Sequence, residues 1–444
     1  MRAFWTVVHR WAGLFIAGFL FISGVTGAVI SWDHELDEWL NPHLTDARGS
    51  GPALPVLDLV EQVEQRYPQM QVLSVPLAAE AGHSLDFYLE PRVDPASGKL
   101  FEAPFNQVFV DPATGEELGK REWGAVWPIT KETFVSFLYR LHYTLHLPAM
   151  WGIDEWGVWL LGIIAMVWAV DCFVGFYLTL PQKRRQAAAA KADDDIAPDA
   201  LVKPAAGASR DWWNRWAPAW KLRWRGGAAK LNFDLHRAFS LWTWALLFIV
   251  AFTAFSLNLY REIFFPVMSL VSNVTPSPYD TRKPTGKTAP IAPALGFAEI
   301  IARGRDEALK KGWDEPAGSI YYAREYGLYS LQFFQPEDAH GAGGVGHRTL
   351  YLDSRDGRLL GDRQPWKGTA ADIFVQAQFP LHSGRILGLP GRVLISAMGL
   401  VVAMLSVTGV VIWWKKRRAR RLAPMRACRT NSTARLSARR RTTR

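Results

Sequence analysis

The chain has 444 residues, with 51 Lys and Arg against 41 Asp and Glu, for a formal charge of +10. A basic balance of that size can mark a nucleic-acid binder, but residues 415–444 hold 13 Lys and Arg and no acid, so the other 414 residues sum to 10 − 13 = −3. The hydrophobic share is 49%, gathered in charge-poor runs of about 20 residues, the length that crosses a hydrocarbon core about 30 Å thick. A nucleic-acid partner and a wholly soluble protein are both excluded.

The first run, Trp11 to Ile30, carries no charge. It is too long for a signal-peptide core and lacks a clear small-residue cleavage site, so it reads as a retained span. The second runs from Trp156 to Leu180, the third from Ala238 to Leu257 and the fourth from Val393 to Trp414, and Asp171 is the one charge among them. Cys172 and Cys428 are too far apart and too differently placed to suggest a disulfide, and no C-x-x-C-H exists for covalent haem attachment.

Loop charge sets the orientation, because cytoplasmic segments carry excess Lys and Arg. Residues 181–232 have 11 basic against 5 acidic residues, and the fourth span ends in KKRRARR, so both read as cytoplasmic. Residues 31–150 have 8 basic against 18 acidic, and residues 258–390 have 15 against 14, so both read as outer. The expected organisation is a transmembrane helix at 1–32, an outer domain at 33–150, a helix at 153–181, a Trp-rich basic loop at 182–232, a helix at 233–258, a second outer domain at 259–388, a helix at 390–414, and a basic, unstructured tail at 415–444.

Each outer segment reads as a small α+β domain. Helical spacing over Leu54 to Tyr67 precedes strand patterns at Gln71 to Pro76, Ser84 to Leu89 and Gln107 to Val110. The second segment has a helix over Ala294 to Lys311, then strands at Ser319 to Ala323, Leu328 to Phe334 and Thr349 to Leu352. Their last strands enter similar turns, VFVDPATGEELG (Val108 to Gly119) and LYLDSRDGRLLG (Leu350 to Gly361). The likeness extends to HRWAGLF at His9 and HRAFSLW at His236, and to YTLHLP around His146 and FPLHSG around His382. The pattern is an internal duplication whose halves share one direction across the bilayer.

Four of the ten histidines therefore occupy matched positions. Neutral imidazole is an axial ligand for b-type haem, and facing helices can clamp a flat macrocycle. His9 with His236 would hold one haem near the inner face, and His146 with His382 a second near the outer face. His142 shares a helical face with His146 and is an alternative ligand, although Gln378 at its matched place favours His146. Arg10 and Arg237 either hold haem propionates or anchor the helices at the membrane surface. Asp171 is a functional candidate or the partner of an inner-face arginine. His34, His43, His83, His340 and His347 read as surface residues. A zinc site at His142 and His146 lacks further ligands in any known spacing. The five tryptophans of DWWNRWAPAWKLRWRGG (Asp211 to Gly227) anchor the loop in the interface or form a docking surface for an electron donor.

The sequence HRWAGLFIAGFLFISGVTGAVISW followed by HELDEWLNP, the duplicated outer domain with its D-P-x-T-G-E turn, and the LHLP and LHSG segments resemble the PepSY-associated transmembrane helix proteins of bacterial inner membranes, over Met1 to Arg418. That resemblance implies four transmembrane helices with two periplasmic PepSY-like domains, two b-type haems on His9, His146, His236 and His382, and a reductase that releases iron from ferric siderophores. With no G-x-G-x-x-G and no flavin domain in sight, electrons must come from a separate cytoplasmic or membrane donor. The rival is a non-enzymatic envelope protein that binds peptide or restrains a protease. A transporter of inverted repeats fits poorly, because the halves run parallel and no span is broken by Pro.

Overall fold

The computed structural model describes residues 1–153, 155–182, 208–338 and 341–441. Its main elements are α1 (Arg2–Ile30), α2 (Val56–Arg66), β1 (Met70–Pro76), β2 (Leu85–Pro91), β3 (Gln107–Val110), β4 (Glu117–Arg121), α3 (Lys131–Thr144), α4 (Trp156–Thr179), α5 (Ala228–Trp242), α6 (Trp244–Asn258), α7 (Phe297–Lys310), β5 (Ala317–Ala323), β6 (Leu328–Phe333), β7 (Arg348–Asp353), β8 (Leu359–Arg363) and α8 (Gly388–Arg441). They divide into two compact units.

The first unit comprises Met1–Val25, Ile163–Phe252 and Met398–Arg444. Helices α1, α4 and α8 are each long and apolar enough to cross a membrane, and α5 with α6 makes a fourth span if the bent pair is taken as one. Buried Cys172, Leu247, Met398 and Val402 pack with Leu20, Trp168 and Trp244 around them. A Cβ on Gly24 would lie 2.6 Å from the carbonyl oxygen of Gly399, so α1 and α8 touch backbone to backbone, the close approach that small residues permit between spans.

Two expectations for this unit change. The third span is not straight: α5 and α6 meet at Thr243 with a bend of 73°, and α6 alone, at 15 residues, rises only about 22 Å. The tail does not become irregular after Trp414, because α8 continues to Arg441. No glycine follows Gly409 and the segment is rich in Arg and Ala, both strong helix formers.

The second unit comprises Thr26–Gly162 and Thr253–Ala397. Its eight strands form one antiparallel sheet in the order β4-β3-β2-β1-β5-β6-β7-β8. The order mirrors about its centre, where Ser74, Val75 and Pro76 of β1 face Tyr321, Ile320 and Ser319 of β5. A single core runs through both segments: Val72, Val75, Phe87 and Leu89 share it with Ile320, Tyr322, Leu331 and Leu350, beneath Leu59 and Val63 of α2 and Ile300 of α7. Arg324, 1% exposed, crosses the seam to the Pro91 carbonyl and to Glu90. The two segments thus do not fold as two separate domains. A four-stranded half would leave β1 or β5 as an unpaired edge of N–H and C=O groups, and each covers the other.

Strands β4 and β8, absent from the sequence reading, follow the matched turns. In both turns the amide of the glycine, Gly115 or Gly357, donates to the carbonyl of the aspartate four residues before it, Asp111 or Asp353, at 2.9 Å. Both glycines have a positive φ, 73° and 70°, a conformation glycine adopts without steric cost. Asp111 is buried and accepts from the backbone N–H groups of Arg48, Gly49, Ala113 and Thr114 at 2.6–3.1 Å. Burial opposes its charge, but these donors prevail and hold the carboxyl at about 2, below its ordinary 3.8.

Because the folded value is depressed, the stability Asp111 contributes is complete above about 3.8 and is lost as pH falls toward 2. Asp111→Ala leaves buried amides unsatisfied and lowers stability by about 1–3 kcal/mol at pH 7. Thermal unfolding of the detergent-solubilised protein, followed by tryptophan fluorescence, should show that deficit shrinking below pH 4. A variant as stable as wild type at pH 7 contradicts this account.

Candidate functional site

Each unit contains one pair of facing histidines. In the first unit His9 stands in the third turn of α1 and His236 in the middle of α5, with ring centroids 6.3 Å apart and planes inclined by 56°. In the second unit His142 of α3 faces His382, in the short helix Gln378–Ser383, at 6.1 Å and again 56°. Each pair takes one ring from each half of the sequence.

All four rings are held through Nδ1. His9 Nδ1 lies 2.9 and 3.0 Å from the two carboxylate oxygens of Asp171 on α4, and donates to them. His236 Nδ1 lies 3.1 Å from both the Leu405 carbonyl and Thr408 Oγ1 on α8. The Thr408 hydroxyl itself donates to Met404 and Leu405 carbonyls, so it accepts from His236. His142 Nδ1 meets Thr26 Oγ1 at 3.1 Å, and His382 Nδ1 meets Thr253 Oγ1 at 3.0 Å.

Glycines on the neighbouring helices leave room for three of the four rings. A Cβ on Gly175 would lie 3.5 Å from His9 Cε1, one on Gly409 3.2 Å from His236 Cε1, and one on Gly27 2.8 Å from His142 Cε1. The matched glycines fix the correspondence between the halves: Gly175 answers Gly409, so Asp171 answers Leu405. The threonines do the same, since 26 − 9 and 253 − 236 are both 17. Comparison of the first and third spans at constant spacing from HR would have exposed Thr26 and Thr253; nothing in the sequence singles out Thr408.

The expected pairing of His146 with His382 is corrected. Helix α3 ends at Leu145, which is left-handed with φ 54°, and His146 follows at φ 51°. Off the helix axis, its ring stacks on Phe137 at 4.7 Å and its Nε2 lies 2.9 Å from the Phe137 carbonyl. The spacing that puts residues four apart on one face holds only within a helix, so His142 alone keeps the position opposite His382. Gln378, thought to match His142, is buried and accepts from Ser256.

Other candidates find ordinary partners. Arg237 donates to the Pro218 carbonyl at 2.7 Å and to Asp234 at 3.0 Å, and Arg223 forms a bidentate pair with the same carboxylate. Arg10 stacks over Trp11. The Nε atoms of Arg10 and Arg237 are nonetheless buried with no hydrogen-bond partner. Asp171 pairs with His9 rather than with an inner-face arginine. His347 is not a surface residue: it is buried, stacked on Phe334 at 3.9 Å and bonded to the Asp338 carbonyl. His43 pairs with Glu132, His34 is exposed, and His340 lies outside the described residues, as do 183–207 of the basic loop. In the rest of that loop Trp212, Trp213, Trp216 and Trp220 pack edge to face or tilted on one another and, through Trp216, on Phe176.

Among the described residues, no cluster of three or more His, Cys, Asp and Glu side chains is placed to hold a metal ion. The protein therefore builds no closed tetrahedral centre of its own there. What it builds is two pairs of oriented imidazoles inside a protein with three to four apolar, membrane-spanning helices. The chain belongs to the PepSY-associated transmembrane family: the model described as "PepSY-associated TM region" matches residues 6–416. No curated protein matches the chain.

The turns that carry His142 and His382 are pinned by backbone contact. A Cβ on Gly157 would collide with the Thr144 carbonyl, two residues after His142, and one on Gly391 with the Gly384 carbonyl, two residues after His382. Gly157→Ala and Gly391→Ala should each lower thermal stability by about 1–3 kcal/mol or more. Gly13→Ala, with nothing within 4 Å of the added carbon, should be neutral or slightly stabilising. Thermal unfolding of the three variants in one detergent checks the contrast.

Proposed function

We propose that this protein is an internally duplicated haem b oxidoreductase of the bacterial inner membrane, with both termini cytoplasmic, that passes electrons outward to Fe(III) held by a siderophore. The observation that carries the reading is the pair of matched imidazole couples with centroids 6.3 and 6.1 Å apart. Two imidazoles that held one metal ion between them, with metal–nitrogen bonds of about 2.0 Å each and two ring radii added, would have a centroid separation of roughly 6 Å. With Nδ1 engaged in every ring, Nε2 is the nitrogen that would coordinate, so His9 with His236 and His142 with His382 would each hold one haem.

The donor set fits the group. Two imidazoles per site would suffice to hold a b-type haem, whose macrocycle would leave no need for a third protein ligand. The buried, unpartnered Nε atoms of Arg10 and Arg237 beside the first couple suit an anionic carboxylate. When bound, haem supplies reversible one-electron exchange between Fe(II) and Fe(III). The protein's part is to fix the tautomer and plane of each imidazole and to surround it with apolar helix. The loop charges support a cytoplasmic origin for the electrons, which a separate donor would deliver. An Fe(III) acceptor makes chemical sense, because Fe(II) is a softer ion that hard oxygen ligands hold less tightly.

An absorption spectrum of detergent-purified protein from haem-replete cells tests the proposal. A b-type Soret band and a dithionite-induced α-band are expected, at two haems per chain. His9→Ala, His236→Ala, His142→Ala and His382→Ala should each lose about one of the two, whereas His146→Ala keeps both. A colourless, folded preparation overturns the reading and leaves the non-enzymatic envelope protein in its place.

A further inference from the structure

Asp171 breaks the likeness of the two halves. Its carboxylate lies on an apolar span, about a tenth exposed, where an acid is costly. The position that answers it is Leu405, which offers His236 only a backbone carbonyl. Thr26, Thr253 and Thr408 give the other rings neutral oxygens. Among the described hydrogen bonds of these four rings, a full negative charge reaches His9 alone, through both oxygens of Asp171.

A carboxylate accepting the Nδ1 proton makes the opposite nitrogen a stronger donor to a metal. Stronger donation, with a nearby negative charge, favours the oxidised and more positive metal ion. We infer that Asp171 is a positioning residue that polarises His9 and sets the potential of the His9–His236 couple lower than the same two imidazoles would have with a neutral partner in its place. The inference rests on the haem reading above.

Spectroelectrochemical titration of the α-band tests it. Asp171→Asn keeps the shape and an acceptor oxygen for His9 Nδ1 but removes the charge. In a His142→Ala background, where only the His9–His236 site remains, Asp171→Asn should shift the reduced-to-oxidised ratio at fixed potential at least tenfold toward reduced, about 59 mV for a one-electron couple. Introduced into the His9→Ala background, it should leave the remaining component where it was. An unchanged or lowered midpoint in the first background overturns the inference, and so does an equal rise in both. If Asp171→Asn loses the haem, Asp171→Ser in the same background takes its place, with the same rise expected and the same outcomes overturning the inference. A chain that holds no haem at all fails the oxidoreductase reading instead, and the two failures are thereby distinct.

Discussion

An imidazole in an apolar interior presents one nitrogen reliably only when the other is tied down. Left to itself the ring rotates about two bonds and exchanges tautomers, and neither nitrogen has a fixed address. Here each of the four facing rings is tied at Nδ1 by a residue of another helix. The tie is longer-lived than it would be in water, because within apolar surroundings an unpaired N–H or carboxylate has nothing else to turn to. Much else in the structure serves that arrangement. The glycines clear the space beside the rings, the backbone contact at Gly24 brings α1 against α8, and the shared sheet binds the inter-span segments that lead into His142 and His382.

The duplicated pattern made the histidines at positions 9, 236 and 382 legible, because HR and LH recur in like company. It misplaced the fourth. Matching the LH dipeptides aligned His146 with His382, although what decides a ring's position is its distance from the end of its helix. His142 and His382 both stand two residues before a backbone carbonyl on which a glycine of the following span rests, Gly157 in one half and Gly391 in the other. That contact closes a turn between a helix end and the start of the next span, and leaves no periodic trace.

The sheet shows a similar limit. Three strands of each half read clearly as strand patterns, and the turns between Asp111 and Gly115 and between Asp353 and Gly357 were visible as matched turns that share an aspartate and a glycine. Strands β4 and β8 were not, because ELGKR and LLGDR are short and polar, as suits the outer edges of a sheet. The joining of β1 to β5 was also hidden: an interior strand and an edge strand with one covered face can share the same pattern. Likewise the 73° bend at Thr243 sits in a run whose composition is uniformly apolar, with neither proline nor glycine to announce it.

A chain with two like halves differs in one respect from a pair of identical subunits. In a symmetric homodimer every residue is present twice in the same setting, and any charge placed beside one ring is placed beside its mate. Joining the halves end to end removes that restriction. The sheet keeps the mirrored order that two equal partners would make, while the positions of Asp171 and Leu405 are free to diverge. A difference between the two couples then becomes a property of sequence within a nearly symmetric frame, and a single side chain suffices to write it.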